Sequence, residues 1–184
     1  MPYNSNIHHR RSIRLKGYDY SQAGAYFITI CCENRGCRFG KIENGEMLLN
    51  EFGQIAHNEW MKLAERFENF ELDVFQIMPN HIHGIIALNT VGATLAVAQK
   101  NVVNNYDLRA GASPATVSDI VGAYKSLVAN GCLEIYKLKN ESMGKLWQRN
   151  YHEHVIRNEQ SYYTISNYII DNPAKWNEDK FYTN

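Results

Sequence analysis

Apolar residues along the chain fall into several short runs that have the composition of β-strands. Residues 25–31, 72–77 and 82–88 are rich in β-branched and aromatic side chains, which predicts three strands. Residues 38–49 predict a hairpin that turns at Asn44-Gly45, because this dipeptide favours a tight two-residue turn. Pro79 separates the second and third runs and marks a turn or a sheet edge. We therefore expect strands to open the fold and to return later in the chain.

Three other stretches carry apolar residues at helical spacing. Residues 51–67 predict an amphipathic helix, and residues 118–130 predict a second one with Gly131 as its stop. Residues 159–171 predict a third helix that ends at Asn172-Pro173, because a residue before proline disfavours helical backbone. Residues 89–115 lack periodicity and predict a flexible loop, not a domain boundary. We therefore expect a single domain over residues 1–184.

The composition excludes several classes of protein. The chain has 184 residues, enough for one sizeable core. Its 19 basic and 19 acidic side chains cancel, which argues against a protein that coats duplex DNA by bulk charge. No apolar run is long enough to span a bilayer, and the polar, basic start lacks the apolar core of a signal peptide. We therefore expect no membrane partner and, by default, a cytoplasmic location.

The four cysteines show neither a CxxC pair nor the spacing of a disulfide framework. We therefore expect reduced core residues at Cys31, Cys32, Cys37 and Cys132. A zinc site that joins Cys37 to histidines stays open as an alternative.

Basic residues cluster near the N-terminus at Arg10, Arg11 and Arg14, with Tyr18 and Tyr20 close behind. This mixture suits phosphate contact and base stacking on single-stranded nucleic acid. A solvated basic arm without a ligand is an equally good interpretation.

Two histidines lie two positions apart in the predicted strand that follows Pro79. His81 and His83 therefore project from the same face, while Ile82 enters the opposite face. Each buried imidazole needs partners for both ring nitrogens, and histidine is the commonest metal ligand. The pair is thus a candidate half of a metal site, and two core histidines bonded to the backbone are the alternative.

The last predicted helix carries a second candidate. Tyr168 and Asn172 stand four residues apart and so lie on one helix face, about one turn from each other. Tyr168 is a candidate nucleophile. The tyrosines and isoleucines of this helix could equally form a packed aromatic seam.

These residues carry a resemblance to a known family. The segment His81-Ile82-His83 resembles the HUH motif of single-tyrosine transposases, in which a hydrophobic residue separates two histidines. The runs LWQRNYHEHVIRN at residues 146–158 and NYIIDNP at residues 167–173 are similar to those of REP-associated tyrosine transposases. The resemblance extends from about residue 18 to residue 176, and the three motifs occur in the same order.

The resemblance implies a ferredoxin-like α/β sandwich of the α+β class. An antiparallel sheet would carry the HUH strand, with the C-terminal tyrosine helix nearby. The resemblance also assigns His81, His83 and Asn172 as metal ligands and Tyr168 as the nucleophile. Two imidazoles and an amide oxygen around Mg²⁺ or Mn²⁺ would leave open positions for a phosphate.

The implied reaction is attack of the tyrosine on single-stranded or hairpin DNA, which yields a 5′-phosphotyrosine and a free 3′-hydroxyl. Both monomers and homodimers are compatible with the resemblance. The candidate DNA contacts are basic or imidazole side chains, namely Arg10, Arg11, Arg14, Lys125, Arg149, His154 and Arg157. For Arg149 and Arg157, salt bridges that anchor the last helix are the alternative; for His154, capping or packing beside that helix is the alternative.

Two other functions stay open at this point. One is a nicking endonuclease of the replication-initiator type, and the other is a DNA-binding regulator that keeps the fold without the reaction. The sequence argues against a two-histidine phosphoesterase, because it has no second HxT or HxS motif.

Overall fold

The computed structural model describes residues 23–89 and 114–182. Within these ranges four strands form one antiparallel sheet, namely β1 (Gly24–Cys31), β4 (Phe70–Ile77), β5 (His81–Leu88) and β6 (His152–Ile156). Their order in the sheet is β4-β5-β1-β6. The three strands predicted from apolar composition are therefore confirmed. The edge strand β6 was not predicted, because its sequence HEHVI begins with three polar residues and only its pairing with β1 defines it.

The predicted hairpin is also confirmed, as strands β2 (Gly40–Glu43) and β3 (Glu46–Leu49). Its two turn residues, Asn44 and Gly45, have φ angles of 53° and 78°. Both lie in the left-handed region that a type I′ turn requires, which explains why asparagine and glycine stand there.

Helices α1 (Glu51–Met61), α2 (Leu63–Arg66) and α3 (Val117–Leu138) follow the hairpin and the sheet. Trp60 of α1 and Tyr124 of α3 are fully buried and meet edge to face, and the Tyr124 hydroxyl donates to the Ala56 carbonyl at 2.9 Å. The helix predicted over residues 51–67 is present but breaks at Lys62.

The prediction that Gly131 ends its helix was wrong, because α3 continues to Leu138. A Cβ at Gly131 would lie 2.9 Å from Cγ2 of Ile55, which is on α1. The glycine therefore serves the close approach of two helices and not a helix end.

Helix α4 (Glu159–Asp171) packs on the sheet at β4 and β5, and ends at the predicted Asn172-Pro173. A 3₁₀ turn at Trp176–Glu178 and the buried Phe181 follow it. Strand β5 is thereby covered on both faces, and nearly all of it is buried.

The predicted α+β sandwich, with the HUH strand in an antiparallel sheet and a tyrosine helix beside it, is confirmed. None of the helices within the described ranges is both long enough and apolar enough to cross a bilayer. The predicted loop at 89–115 lies, apart from its ends, outside the described residues. Arg10, Arg11 and Arg14 lie outside them as well.

Candidate active site

Strand β5 brings its two histidines together on one face of the sheet. His81 and His83 are both 0 % exposed, and their ring centroids are 4.4 Å apart. Ile82 between them belongs to the hydrophobic core on the opposite face. The alternation expected from the HxH pattern is therefore present, and the two rings converge away from the core.

Each imidazole is oriented by a hydrogen bond at its Nδ1 atom. His83 Nδ1 is 2.9 Å from Thr29 Oγ1 on the neighbouring strand, which is its partner in the ladder. His81 Nδ1 is 2.8 Å from Oδ1 of Asn80. Such bonds to the outer nitrogen orient the ring and set its tautomer.

Asn80 determines which nitrogen of His81 carries the proton. Its Nδ2 donates to the carbonyls of Arg35 at 3.2 Å and Phe181 at 2.7 Å, which fixes the orientation of the amide. Asn80 Oδ1 therefore faces the ring, and only a protonated Nδ1 of His81 can donate to it. The lone pair of His81 is left on Nε2, the nitrogen that faces the site.

Both histidines are neutral in this environment. Burial, together with the nearby Lys180 cation, lowers the pKa of His81 to about 3. Burial also lowers the pKa of His83 well below its usual value, and proximity to His81 acts in the same direction. Neutral imidazole is the form that binds a metal ion.

Helix α4 places Tyr168 and Asn172 against these histidines. The Tyr168 hydroxyl lies 3.2 Å from His83 Nε2 and 3.3 Å from Oδ2 of Asp179. Asn172 Nδ2 donates to the same oxygen of Asp179 at 2.8 Å. The four-residue spacing that suggested a shared helix face is therefore the spacing that brings both side chains to the strand.

Sequence reasoning missed Asp179. It follows the 3₁₀ turn and has no periodic relation to α4, so the sequence offered no signal for it. Ligand atoms of His81, His83 and Asp179 lie within 4.8 Å of one another. Among the described residues, these three form the group of histidine, cysteine or carboxylate side chains that could hold a metal ion. Cys37 is exposed and stands outside this group.

The residues present fit a divalent cation. His81 Nε2 and Asn172 Oδ1 are buried atoms for which the described part of the chain offers no hydrogen-bond partner. Buried polar atoms are normally paired, so these two free lone pairs are suited to accept a positive ligand. Two imidazole nitrogens, an amide oxygen and a carboxylate form a donor set suited to a divalent transition ion such as Mn²⁺.

The protein alone holds Tyr168 as a phenol. Burial raises the pKa of Tyr168 to about 12, and the nearby Asp179 carboxylate contributes in the same direction. A cation at the histidines would oppose both effects, because it stabilises the phenolate.

The other predicted site residues that the structure describes are not members of this cluster. Lys125 donates to the carbonyls of Gln148 at 2.7 Å and Arg149 at 3.1 Å, so it ties α3 to the segment before β6. The side chains of Arg149 and Arg157 are exposed. His154 is also exposed and stands opposite Phe27 in the β1–β6 ladder. DNA contact by these residues stays a prediction.

Comparison with known proteins finds similarity both in sequence and in structure. A Haemophilus influenzae protein, described only as an uncharacterized protein, is 41% identical over 185 residues, covering 98% of this chain and 97% of the relative. The structure of the REP-associated tyrosine transposase bound to a REP hairpin matches with a TM-score of 0.58 and 20% identity, over 91% of this chain and 76% of that one. No family model matches the chain.

Proposed function

We propose that this chain, which belongs to one family with the Haemophilus influenzae protein, is a transposase that cleaves DNA through Tyr168. Its fold is that of the REP-associated tyrosine transposase. The fold that the sequence resemblance implied is confirmed by this match. The observation that carries the proposal is the position of the Tyr168 hydroxyl, 3.2 Å from a histidine of the candidate metal centre. A nucleophile beside an open metal site is the arrangement that phosphoryl transfer needs.

His81, His83, Asn172 and Asp179 would hold a divalent ion, Mg²⁺ or Mn²⁺. Bound there, such an ion supplies Lewis-acid polarisation of a phosphate oxygen and favours the phenolate form of a nearby tyrosine. Asn80 and Thr29 orient the two rings, so the ligand nitrogens need no rearrangement.

The chain itself supplies the nucleophile and a proton acceptor. The Tyr168 oxygen attacks the scissile phosphorus, forming a phosphotyrosine ester as the bond to the 3′ oxygen breaks. Asp179 Oδ2, at 3.3 Å, takes the phenol proton, and the departing 3′ oxygen gains a proton to become a hydroxyl. One ester replaces another, so the 3′-hydroxyl can later attack the phosphotyrosine and rejoin the strand.

The proposed substrate is single-stranded DNA that folds into a hairpin. The structural relative is described as bound to a REP hairpin, and the described surface near Tyr168 presents aromatic side chains on which unpaired bases can stack.

The test is a denaturing gel that resolves DNA joined to protein. Hairpin DNA drawn from the flanks of the source gene is labelled at its 3′ end in one sample and at its 5′ end in another, with Mn²⁺ or with a chelator. We expect the 3′ label to migrate with the protein and the 5′ label to appear as a shorter free strand. Tyr168→Phe removes the adduct, whereas Tyr163→Phe, an exposed tyrosine of the same helix, retains it.

Other outcomes identify other functions. A protein that binds the hairpin but never forms an adduct with any divalent ion is a DNA-binding regulator, and the proposal fails. An adduct that is never rejoined to a second strand indicates a nicking endonuclease. An adduct that persists in Tyr168→Phe assigns the nucleophile to another residue.

A further inference from the structure

An open groove of about 470 Å³ lies beside Tyr168. Phe27 and Ile165 contribute apolar side chains to its lining, which we call the apolar wall. Lys180 contributes a cation, while Glu178 and Asp179 contribute carboxylates. A space of this size is in the range of pockets that bind small molecules.

Phe27 is the distinctive residue of this groove. It is a half-buried aromatic side chain on β1, yet it lies outside the hydrophobic core cluster. Its ring meets the Tyr168 ring edge to face, with centroids 6.1 Å apart at 90°, and its centroid is 5.4 Å from that of His83. Phe27 therefore extends the active-site wall toward solvent.

Substrate has to reach Tyr168 through open space, because in-line attack places the scissile phosphorus about 3–3.5 Å from the Tyr168 oxygen. A smaller pocket of about 160 Å³ adjoins Tyr168 on the side of Asn172, where three carboxylates, Asp171, Glu178 and Asp179, face one cation, Lys175. This excess of negative charge repels the phosphates of a strand. We therefore expect the nucleotide joined to the scissile phosphate to lie in the wider groove, along Phe27.

The charges of the groove determine how the nucleotide lies. Asp179 is engaged by Tyr168, by Asn172 and by the backbone N–H of Phe181 at 2.6 Å. Glu178 repels a phosphate and Lys180 attracts one, so the backbone takes the Lys180 side. The base is left to face the apolar wall.

We propose that this groove is a nucleobase subsite, in which the base next to the scissile phosphate stacks on Phe27 and its backbone phosphate pairs with Lys180. The proposal rests on the proposed function and adds a binding site to it. Every base has a π-face, so the subsite holds the strand without selecting its sequence. His154, opposite Phe27 and exposed, extends the same wall toward the sheet edge.

The first test is a cycle of protein and DNA changes, read as the single-turnover rate of adduct formation. Substrates carry one abasic position on either side of the scissile phosphate. With wild-type protein we expect one of these positions to slow the reaction about 5- to 150-fold, the range found for base–aromatic stacking. Phe27→Leu should slow adduct formation on the intact substrate to a similar extent, but should not slow it further on the abasic substrate. Phe27→Trp should restore the rate on the intact substrate.

Packing beneath Tyr168 is the competing role of Phe27, and the cycle distinguishes it. If Phe27→Leu and the abasic change slow the reaction independently, or if neither abasic position has an effect, the subsite is overturned. Each variant must also keep the thermal unfolding midpoint and its metal-induced increase within about 3 °C of wild type, which excludes general damage to the fold.

The second test addresses Lys180 through the salt dependence of hairpin binding. Lys180→Gln is expected to reduce the slope of log K against log salt concentration by about 0.7, the value for one phosphate contact on a single strand. Lys137→Gln on α3, which pairs with Glu134, should leave the slope unchanged. An unchanged slope in Lys180→Gln removes the phosphate contact from the proposal.

Failure of the proposed function is separable from failure of the subsite. If wild-type protein forms no adduct on any substrate, the transposase proposal fails. The same protein and DNA changes are then compared by their effect on the equilibrium binding of the hairpin, measured by fluorescence anisotropy. If adducts form but Phe27 and the abasic positions show no coupling, only the subsite fails.

Discussion

Binding of a divalent ion at His81, His83, Asn172 and Asp179 should stabilise the folded chain. Among the described residues, His81 Nε2 and Asn172 Oδ1 are buried acceptors without a hydrogen-bond partner, and an unfolded chain presents no such cluster. A ligand that binds only the folded state raises the free energy of unfolding by RT ln(1 + [L]/Kd). Thermal unfolding therefore detects the metal without any assay of DNA chemistry.

The size of the effect follows from that relation and from the chain length. Above Kd, each tenfold increase in metal concentration adds about 1.4 kcal/mol to the free energy of unfolding. For a domain of 150–250 residues, 1 kcal/mol corresponds to about 2–4 °C in Tm. We therefore expect Tm to rise by about 3–6 °C for each decade of Mn²⁺ above saturation, and to return to its initial value with a chelator.

The informative variant is His81→Gln, which removes one ligand nitrogen and keeps a polar side chain. We expect it to shift the onset of the Tm increase to a metal concentration at least about tenfold higher, since loss even of a supporting hydrogen bond costs 10- to 100-fold in metal affinity. His57→Gln on α1 is the matched control, because His57 packs on Phe75 and is outside the ligand group. An increase of equal size and onset in wild type and His81→Gln would refute the metal site.

Two further predictions concern stability and DNA contact. The metal-free protein should lose stability as pH falls below about 6.5. His81 then binds a proton in the unfolded chain but stays neutral in the folded protein, where its pKa is about 3. For this residue the free energy of unfolding falls by about 2 kcal/mol by pH 5. Chemical denaturation at pH 7 and pH 5 measures it, and an equal loss in His81→Gln contradicts the assignment. Lys125→Met should lower the free energy of unfolding by about 1–3 kcal/mol, because it leaves the Gln148 and Arg149 carbonyls unpaired. Lys137→Met is the exposed control, and a reduced salt slope in Lys125→Met alone would assign Lys125 a phosphate contact.

The candidate site was predictable wherever its residues are related by local periodicity. His81 and His83 share a face because strand side chains alternate, and Tyr168 and Asn172 share a face because they are one helical turn apart. Both relations depend on only a few neighbouring residues. The resemblance to REP-associated tyrosine transposases then joined the two local pairs into one site.

Relations between distant segments depended on the tertiary structure. Gly131 has the local signature of a helix end, yet packing against Ile55 keeps it inside α3. Strand β6 exists because its backbone pairs with β1, and its polar sequence does not predict this contact. In both cases a long-range contact overrides the local preference.

The sequence by itself determined five of the six described strands, the presence of the three long helices, and the two faces that carry His81, His83, Tyr168 and Asn172, because each depends on the spacing of neighbouring residues. Only the tertiary structure decided that Asp179 joins them and that Phe27 forms the wall beside the tyrosine. Asp179 arrives through the turn after α4, and Phe27 through the strand paired with β5. The physical reason is that a polar cluster forms from side chains that packing places within a few ångströms of one another. Their separation along the sequence does not determine that distance.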